Sequence, residues 1–265
     1  MIKANVIQLE WKLGRRGFAT AAVVVLSFLA MFAGVADMYT GNEELMKLVE
    51  SYPPALLAAV GIDPAALTTF EGWMSTQPYT FYTLLMGVFG SMWAAASIAK
   101  ERDRGTAEWL FSLPYGRAQI YFSKAAAHGL QVTAVYALGV AATLGVGYAA
   151  ADVNEPGKVA LLLTGGYLTA LAFSGLGFAL TALLRSERSA MGAAAGIVVV
   201  SFLLNMLDGL QGGIRRLAQL SLFQAFDSGD ILAEGVLTPL GVGTTLGIYI
   251  VGLLVGWAVL RRQDV

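Results

Sequence analysis

Six long windows with almost no charge constrain this chain more than any other feature of its sequence. They are residues 18–36, 78–99, 125–151, 159–184, 189–207 and 239–260, and His128 is the single acidic or basic side chain inside them. Each window is close to or longer than the ~20 apolar residues that a helix needs to cross a bilayer. Because lipid offers no partners to backbone polar groups, the windows are expected to be helical. The sequence therefore predicts an all-α, polytopic integral membrane protein with six transmembrane helices in one domain, residues 1–265.

Charge and reactive side chains are scarce. Only 13% of the residues are charged, against roughly 25% in a typical soluble domain. The chain has no cysteine and one histidine, which excludes disulfides, thiolate metal sites and paired-histidine metal sites. It also has no Gly-x-x-x-x-Gly-Lys-Ser/Thr phosphate loop, so it carries no recognisable ATPase. We expect no catalytic residue, no metal and no cofactor bound by this chain, which is not built as an enzyme.

The basic residues predict the orientation of the chain in the membrane. With six spans both termini lie on one side, together with segments 100–124 and 185–188. These segments and the two termini hold 13 of the 17 Lys and Arg residues. The positive-inside rule places that side, and so both termini, in the cytoplasm. Segments 37–77 and 208–238 are then the long outer loops.

The segment before the first span has helical periodicity. Ile2, Val6, Leu9 and Leu13 recur at spacings of four, three and four residues, which places them on one face of a helix. The basic residues lie largely off that face. Residues 1–17 are therefore expected to form an amphipathic interfacial helix on the cytoplasmic leaflet. An irregular basic tail is the alternative.

The inner loop 100–124 is the most informative segment. Gly105 can break the helix of the second span, and Thr106 can cap a short new helix with Glu108 in its first turn. Pro114 can end that helix, and Arg117 leads back into the third span. A short, rigid helix connected to two spans can transmit a movement of a soluble partner to the membrane-spanning helices. A solvated loop with a run of charges is the plainer alternative.

This loop resembles the type-2 permeases of ABC exporters. Their motif is roughly Glu-x-x-x-Gly-Thr-Leu-Glu-x-Leu-Leu-Ser-x-Pro-Val-Ser-Arg, followed by a lysine at the next span. The matching residues here are Glu101, Gly105, Thr106, Glu108, Leu110, Ser112, Pro114, Arg117 and Lys124. Trp109 and Phe111 replace common aliphatic residues, and Gly116 stands where the family often has serine. The interfacial first helix and the span count agree with the same family, so the resemblance covers the whole chain.

The resemblance implies a function and a set of partners. In that family two permease subunits, identical or homologous, pair in the cell membrane (plasma or inner membrane) of prokaryotes and bind two separate ATPase subunits. ATP and Mg²⁺ are held by the ATPases, transport is by alternating access, and nucleic acid takes no part. The inner loop carries the coupling helix that docks on the ATPase. The residues expected to couple the two subunits are Glu101, Arg104, Gly105, Thr106, Glu108, Pro114 and Arg117.

The cargo is not encoded in a recognisable motif. A cavity between the second and fifth spans would be lined by Thr83, Met86, Phe89, Trp93, Phe202 and Asn205. That lining favours an amphipathic or apolar cargo. The alternative function is a secondary transporter or channel without an ATPase partner, although the spans lack the carboxylates that proton coupling usually needs. A membrane-embedded enzyme is the third class, and an adjacent ATPase gene would favour the exporter.

Three small-residue motifs permit close approach between helices. They are Gly192-x-x-x-Gly196, Gly243-x-x-x-Gly247 and Gly252-x-x-x-Gly256. They predict either contacts with a second subunit or ordinary packing within one bundle.

Overall fold

The computed structural model describes residues 2–40, 42, 47–49, 51–53, 67–112, 114–209 and 215–262. Within these ranges the chain is helical and contains no strand. The helices are α1 (Ala4–Gly34), α2 (Ala36–Tyr39), α3 (Phe70–Ser75), α4 (Gln77–Asp103), α5 (Ala107–Ser112), α6 (Arg117–Ala150), α7 (Pro156–Leu183), α8 (Glu187–Asn205), α9 (Arg215–Ala218), α10 (Ser228–Glu234) and α11 (Pro239–Arg262). Short 3₁₀ turns occupy Met206–Gly209 and Leu222–Ala225.

Six of the helices are long and apolar enough to cross a membrane. They are α1, α4, α6, α7, α8 and α11, and each covers most or all of one predicted window, although α1 and α6 begin 14 and 8 residues before theirs. The prediction of an all-α membrane protein with six spans is therefore confirmed. Hydropathy identified the spans because each helix must present an apolar surface over the full thickness of the bilayer.

The N-terminal segment is helical, but it is not a helix separate from the first span. α1 runs without a break from Ala4 to Gly34. Gly14 and Gly17 lie inside the helix and do not end it, and only Gly14 closely approaches a neighbouring helix. A Cβ on Gly14 would come within 2.9 Å of the Gln131 amide nitrogen, and one on Gly17 within 3.5 Å of the Trp93 indole nitrogen. The predicted apolar face is also divided, since Val6 is buried whereas Leu13 is 62% exposed.

α7 is the central helix of the bundle. Two thirds of its apolar window, 67%, is buried inside the protein, the highest share of the six spans. It packs along α4 on one side and α11 on another. The α7–α11 contact is a close one, because a Cβ on Gly252 would overlap the Gly175 carbonyl and one on Gly256 would overlap the Phe178 carbonyl. This glycine motif thus serves packing within the chain.

The other two glycine motifs have open surroundings. A Cβ on Gly192, Gly196, Gly243 or Gly247 would meet no described atom within 4 Å. α8 and α11 are also the least buried spans, with 22% and 17% of their windows buried. Among the described residues, these faces of α8 and α11 are therefore not used for packing within the chain.

Contacts sort the connecting segments into two ends of the bundle. At one end, which we call the basic end, residues 2–10, 98–112, 114–124, 181–188 and 253–262 meet. The Thr181 hydroxyl accepts hydrogen bonds from the backbone N–H groups of Ile98 and Ala99, at 2.9 and 3.0 Å. The Tyr121 hydroxyl donates to the Leu253 carbonyl at 3.0 Å. The grouping agrees with the set of segments that the charge distribution predicted on one side.

At the opposite end, α3 lies across the ends of α1, α6 and α7. The Trp73 indole N–H donates to the Phe32 carbonyl at 2.9 Å. Glu71 is buried, and its Oε1 accepts from the backbone N–H groups of Asn154 and Glu155 at 2.8 and 2.6 Å, just where α7 begins. The carboxylate satisfies backbone donors that a helix start leaves without partners.

His128 is part of the core of the bundle. Its ring is buried and lies edge-on to Phe178 with 5.1 Å between centroids. Nε2 lies 2.9 Å from the Gly90 carbonyl, which can only accept, so this nitrogen carries the proton. His128 thus joins α6 to α4.

Candidate functional site

The turn between α4 and α5 has the geometry that the sequence predicted. Gly105 adopts a φ of +68°, in the left-handed region that favours glycine. A Cβ there would meet no described atom within 4 Å, so the backbone angle is the constraint. The Thr106 N–H donates to the Glu101 carbonyl at 2.8 Å, and the Thr106 carbonyl accepts from the Leu110 N–H at 3.0 Å. These two bonds close α4 and open α5.

α5 is held by apolar side chains and keeps its polar ones outside. Ala107 and Leu110 are buried, with 6% and 2% of their surface exposed. Glu108 lies in the first turn and is exposed, as is Pro114 after the helix. Arg117 begins α6 and is half-buried. The helix therefore has one face fixed to the bundle and an acidic first turn open to a partner.

Next to α5 lies an ion-pair network of Glu10, Lys100, Glu101 and Lys124, in which Lys124 is buried and the other three side chains are 11–19% exposed. The Lys124 ammonium donates to Glu10 and, at 2.9 Å, to Glu101, and its side chain is only 1% exposed. Lys100 completes the network with a 2.8 Å bond to the second Glu10 oxygen. The four charges sum to zero. The Thr106 hydroxyl donates to the other Glu101 oxygen, which joins α5 to the network.

Burial explains why these four charges must stay together. A charge taken out of water is costly unless it is paired and hydrogen-bonded. Removing one partner of a buried pair typically costs about 3–5 kcal/mol, because the other charge is left uncompensated. The network therefore fixes the start of α5 to three spans at once: α1 through Glu10, α4 through Lys100 and Glu101, and α6 through Lys124.

The N-terminus makes further contacts with the same loop. The Lys3 backbone N–H donates to the Ser123 hydroxyl at 2.8 Å. The Lys3 ammonium lies 5.3 Å from the centroid of the Tyr115 ring, a cation–π distance. α1 thus braces the loop at the turn before α6 as well as at the ion-pair network.

A second, more exposed pair joins α4 to α8. Arg104 bonds to Glu187 at 3.1 Å, with side chains 65% and 25% exposed. The Glu187 N–H donates to Asp103 at 3.3 Å, and Arg102 donates to the Ala182 carbonyl at 3.4 Å. Exposed pairs of this kind contribute about 0–1 kcal/mol, so they orient the α7–α8 turn more than they stabilise it.

Sequence reasoning missed Glu10 and Lys3 as members of this site. Their partners lie roughly a hundred residues away along the chain, so no local pattern reports them. One signal could have found Glu10: it is the only acidic residue before Asp37. A lone carboxylate among basic residues, on the side that holds Lys100 and Lys124, is the natural counter-ion for them.

The six residues predicted to line a cavity lie in two places. Thr83, Phe202 and Asn205 line a cavity of about 550 Å³ at the opposite end. Met86, Phe89 and Trp93 surround a space of only about 10 Å³, because α1 packs against them there. The two groups do not share one cavity within this chain.

The larger cavity lies between the start of α4, the end of α8 and residues 223–228. Hydrogen bonds between Ser201 and Ser221, at 2.7 to 3.2 Å, hold this last segment against α8. The Gln224 amide donates to Asn205 at 2.7 Å across the lining. The cavity wall therefore consists of elements that are hydrogen-bonded to one another. Among the residues that the structure describes, no group of His, Asp and Glu side chains could hold a metal ion, in this cavity or elsewhere.

The family model described as "ABC-2 family transporter protein" matches residues 4–264, nearly the whole chain. No curated protein matched the sequence. The matched region includes the loop 100–124 and all six spans.

Proposed function

This chain belongs to the ABC-2 family of transporter proteins, and from that membership we propose that it is the permease subunit of an ATP-driven exporter. The family and the six apolar helices make this chain a multi-pass membrane subunit of an ABC transporter. In the proposed transporter a separate ATPase subunit drives export by alternating access.

One observation carries the proposal: α5 is fixed to α1, α4 and α6 by the ion-pair network while its acidic first turn is open. We assign α5 as the coupling helix that docks on an ATPase subunit. Within this proposal the predicted coupling residues have two roles. Glu101, Gly105 and Thr106 hold the helix in place, whereas Glu108 and Pro114 are exposed to a partner.

A displacement of α5 would be transmitted directly to the membrane-spanning helices. The hydrogen bond from Thr106 would displace Glu101, and the ion pairs of Lys124 with Glu101 and Glu10 would extend the displacement to α6 and α1. α4, α6 and α1 would then move as one unit. ATP and Mg²⁺ belong to the ATPase subunit in this scheme, and this chain holds neither.

The proposal includes an orientation and a location. The basic end faces the cytoplasm, because segments rich in Lys and Arg stay on that side. Both termini are then cytoplasmic, in the plasma or inner membrane of a prokaryotic cell.

A second permease subunit, identical or homologous, completes the transporter. The open faces at Gly192 and Gly196 on α8, and at Gly243 and Gly247 on α11, would allow close approach of another helix. Pairing across them would cover the least buried spans.

The test is co-purification with an ABC ATPase subunit supplied in trans, together with transport. We expect Glu108→Arg to lower ATPase association and transport, since it reverses an exposed charge in the docking turn. Glu234→Arg is the matched control, because Glu234 is also exposed but lies on α10 at the opposite end. Equal association of both variants with the ATPase would overturn the assignment of α5. Transport that needs no ATPase would instead favour a secondary transporter or channel.

A further inference from the structure

Three basic side chains lie together on the exposed side of α1. Lys12, Arg15 and Arg16 are all exposed, and spacings of three and four residues from Lys12 place them on one face of the helix. The other side of α1 faces the bundle, where Glu10 belongs to the ion-pair network and Gly14 lies close to Gln131 of α6. The three positive charges therefore lie on the face of α1 that is directed away from the protein.

These three cations have no counter-ion within the described part of the chain. None of them forms an ion pair with a side chain that the structure describes. Glu10 and Glu101 are bonded to the two lysines of the network, and Glu187 pairs with Arg104. Three positive charges on one exposed face, without an acidic partner beside them, attract an anion from outside the chain.

The cations lie at the depth of phospholipid headgroups. The apolar part of α1 begins at Phe18, two residues after Arg16, and the helix continues through this point without a break. At 1.5 Å per residue, Arg16 and Lys12 lie about 3 and 9 Å beyond the start of the apolar span. The headgroup region of each leaflet extends roughly 5–8 Å beyond the hydrocarbon core. The exposed charges therefore face the layer that contains the lipid phosphates.

Apolar side chains flank the three charges. Trp11 is 38% exposed and Leu13 is 62% exposed, and at about 100° per residue they fall on either side of the charged face. The Trp11 and Phe18 rings are in contact, with 5.3 Å between their centroids. Tryptophan favours the membrane interface, where its ring contacts both headgroups and acyl chains. The patch thus combines groups that suit a phosphate with groups that suit the glycerol and acyl region of a lipid.

We propose that Lys12, Arg15 and Arg16 bind the phosphate of an anionic phospholipid, with Trp11 and Phe18 beside its glycerol and acyl region. Arginine suits this role because its planar guanidinium can donate two parallel hydrogen bonds to one phosphate. A zwitterionic phospholipid has the same phosphate but carries its own cation, so its net attraction to the patch is weaker. In the proposed orientation the site lies in the cytoplasmic leaflet, and binding itself requires only this chain.

Two phospholipids with the same acyl chains test the proposal: dioleoylphosphatidylglycerol, which is anionic, and dioleoylphosphatidylcholine, which has no net charge. Native mass spectrometry of the purified chain in a neutral detergent, titrated with each lipid, gives the two apparent affinities. We expect phosphatidylglycerol to bind more tightly. Arg15→Gln with Arg16→Gln should weaken its binding about tenfold, since each basic residue near an anionic lipid surface strengthens binding several-fold. Most Lys and Arg residues of the basic end remain in this variant, so its orientation should be unchanged.

Arg261→Gln with Arg262→Gln is the matched control. These two adjacent arginines are also exposed at the basic end, but they lie in the last turn of α11, where the partial negative charge of the helix C-terminus offsets them. This variant should keep most of the phosphatidylglycerol binding. Glycerol 3-phosphate, a phosphate without acyl chains, should not displace the lipid at equal concentration.

Equal affinity for the two lipids, equal loss of binding in the two variants, or displacement by equimolar glycerol 3-phosphate would overturn the proposal. It would also be overturned if the Arg15→Gln, Arg16→Gln variant lost ATPase association and kept phosphatidylglycerol binding, because the patch would then be a docking surface for that subunit. Lipid binding is measured on this chain alone, so its outcome is independent of the exporter assignment.

Discussion

At the scale of single residues, the side chain with the greatest structural consequence is Lys124. It is almost fully buried between Glu10 and Glu101, which reach it from two different helices. A lysine is rarely buried to this extent unless it is paired. The same lysine matches the family motif at the start of the third span, so a residue noted for its position proves to be the centre of an ion-pair network.

Lys124→Met should destabilise the protein by about 3–5 kcal/mol, because it leaves two mostly buried carboxylates close together. The measurement is the thermal unfolding of the purified chain in detergent. Combining it with Glu10→Gln should cost less than the sum of the two single changes, since the pair is coupled. Lys158→Met is the control, because Lys158 pairs with Glu155 on the surface and should cost only about 0–1 kcal/mol. Equal losses for Lys124→Met and Lys158→Met would contradict the role of the network.

At the scale of helices, local signals predicted more than long-range ones did. The spans follow from hydropathy, and the α4–α5 break follows from Gly105, whose φ of +68° few other residues adopt readily. The continuity of α1 was not predicted, because the boundary at residue 17 was set by where the charged residues end, and a helix can continue past that point. The separation of the six predicted cavity residues into two places also depends on contacts between helices that are distant in the sequence.

Because α11 contacts α7 at only some of its glycines, we expect alanine to change the free energy of unfolding differently at two glycines of α11. Gly252→Ala should destabilise the chain by about 1–3 kcal/mol, since its Cβ would overlap the Gly175 carbonyl. Gly243→Ala should be neutral or stabilising by up to about 1 kcal/mol, since its site is open and alanine favours the helix. Unfolding in detergent measures both. A loss at Gly243 as large as that at Gly252 would contradict the packing described here.

At the scale of the whole molecule, charge and contacts divide the protein in the same way. The segments rich in Lys and Arg meet at the basic end, and at the other end α3 carries Glu71 and α10 carries Asp230 and Glu234. The sequence predicted this division from the count of basic residues alone. It could not predict where α3 closes the bundle, because the bonds from Glu71 to the start of α7 join segments more than 80 residues apart.

Labelling of single cysteines tests the orientation, and the absence of native cysteine makes the background clean. We expect Ser112→Cys, exposed at the end of α5, to react with a membrane-impermeant maleimide only in inverted vesicles. Glu234→Cys, exposed on α10, should react in intact cells, because the two residues lie at opposite ends. The unsubstituted chain is the control and should not be labelled. The reverse pattern would place the basic end outside the cytoplasm.

The zero net charge of the ion-pair network has an electrical consequence. Moving one elementary charge through the membrane field requires about 2.3 kcal/mol per 100 mV. Glu10, Lys100, Glu101 and Lys124 are bonded to one another, so they would be displaced together and carry no net charge through that field. A shift of α1, α4 and α6 would then do no electrical work through these four groups.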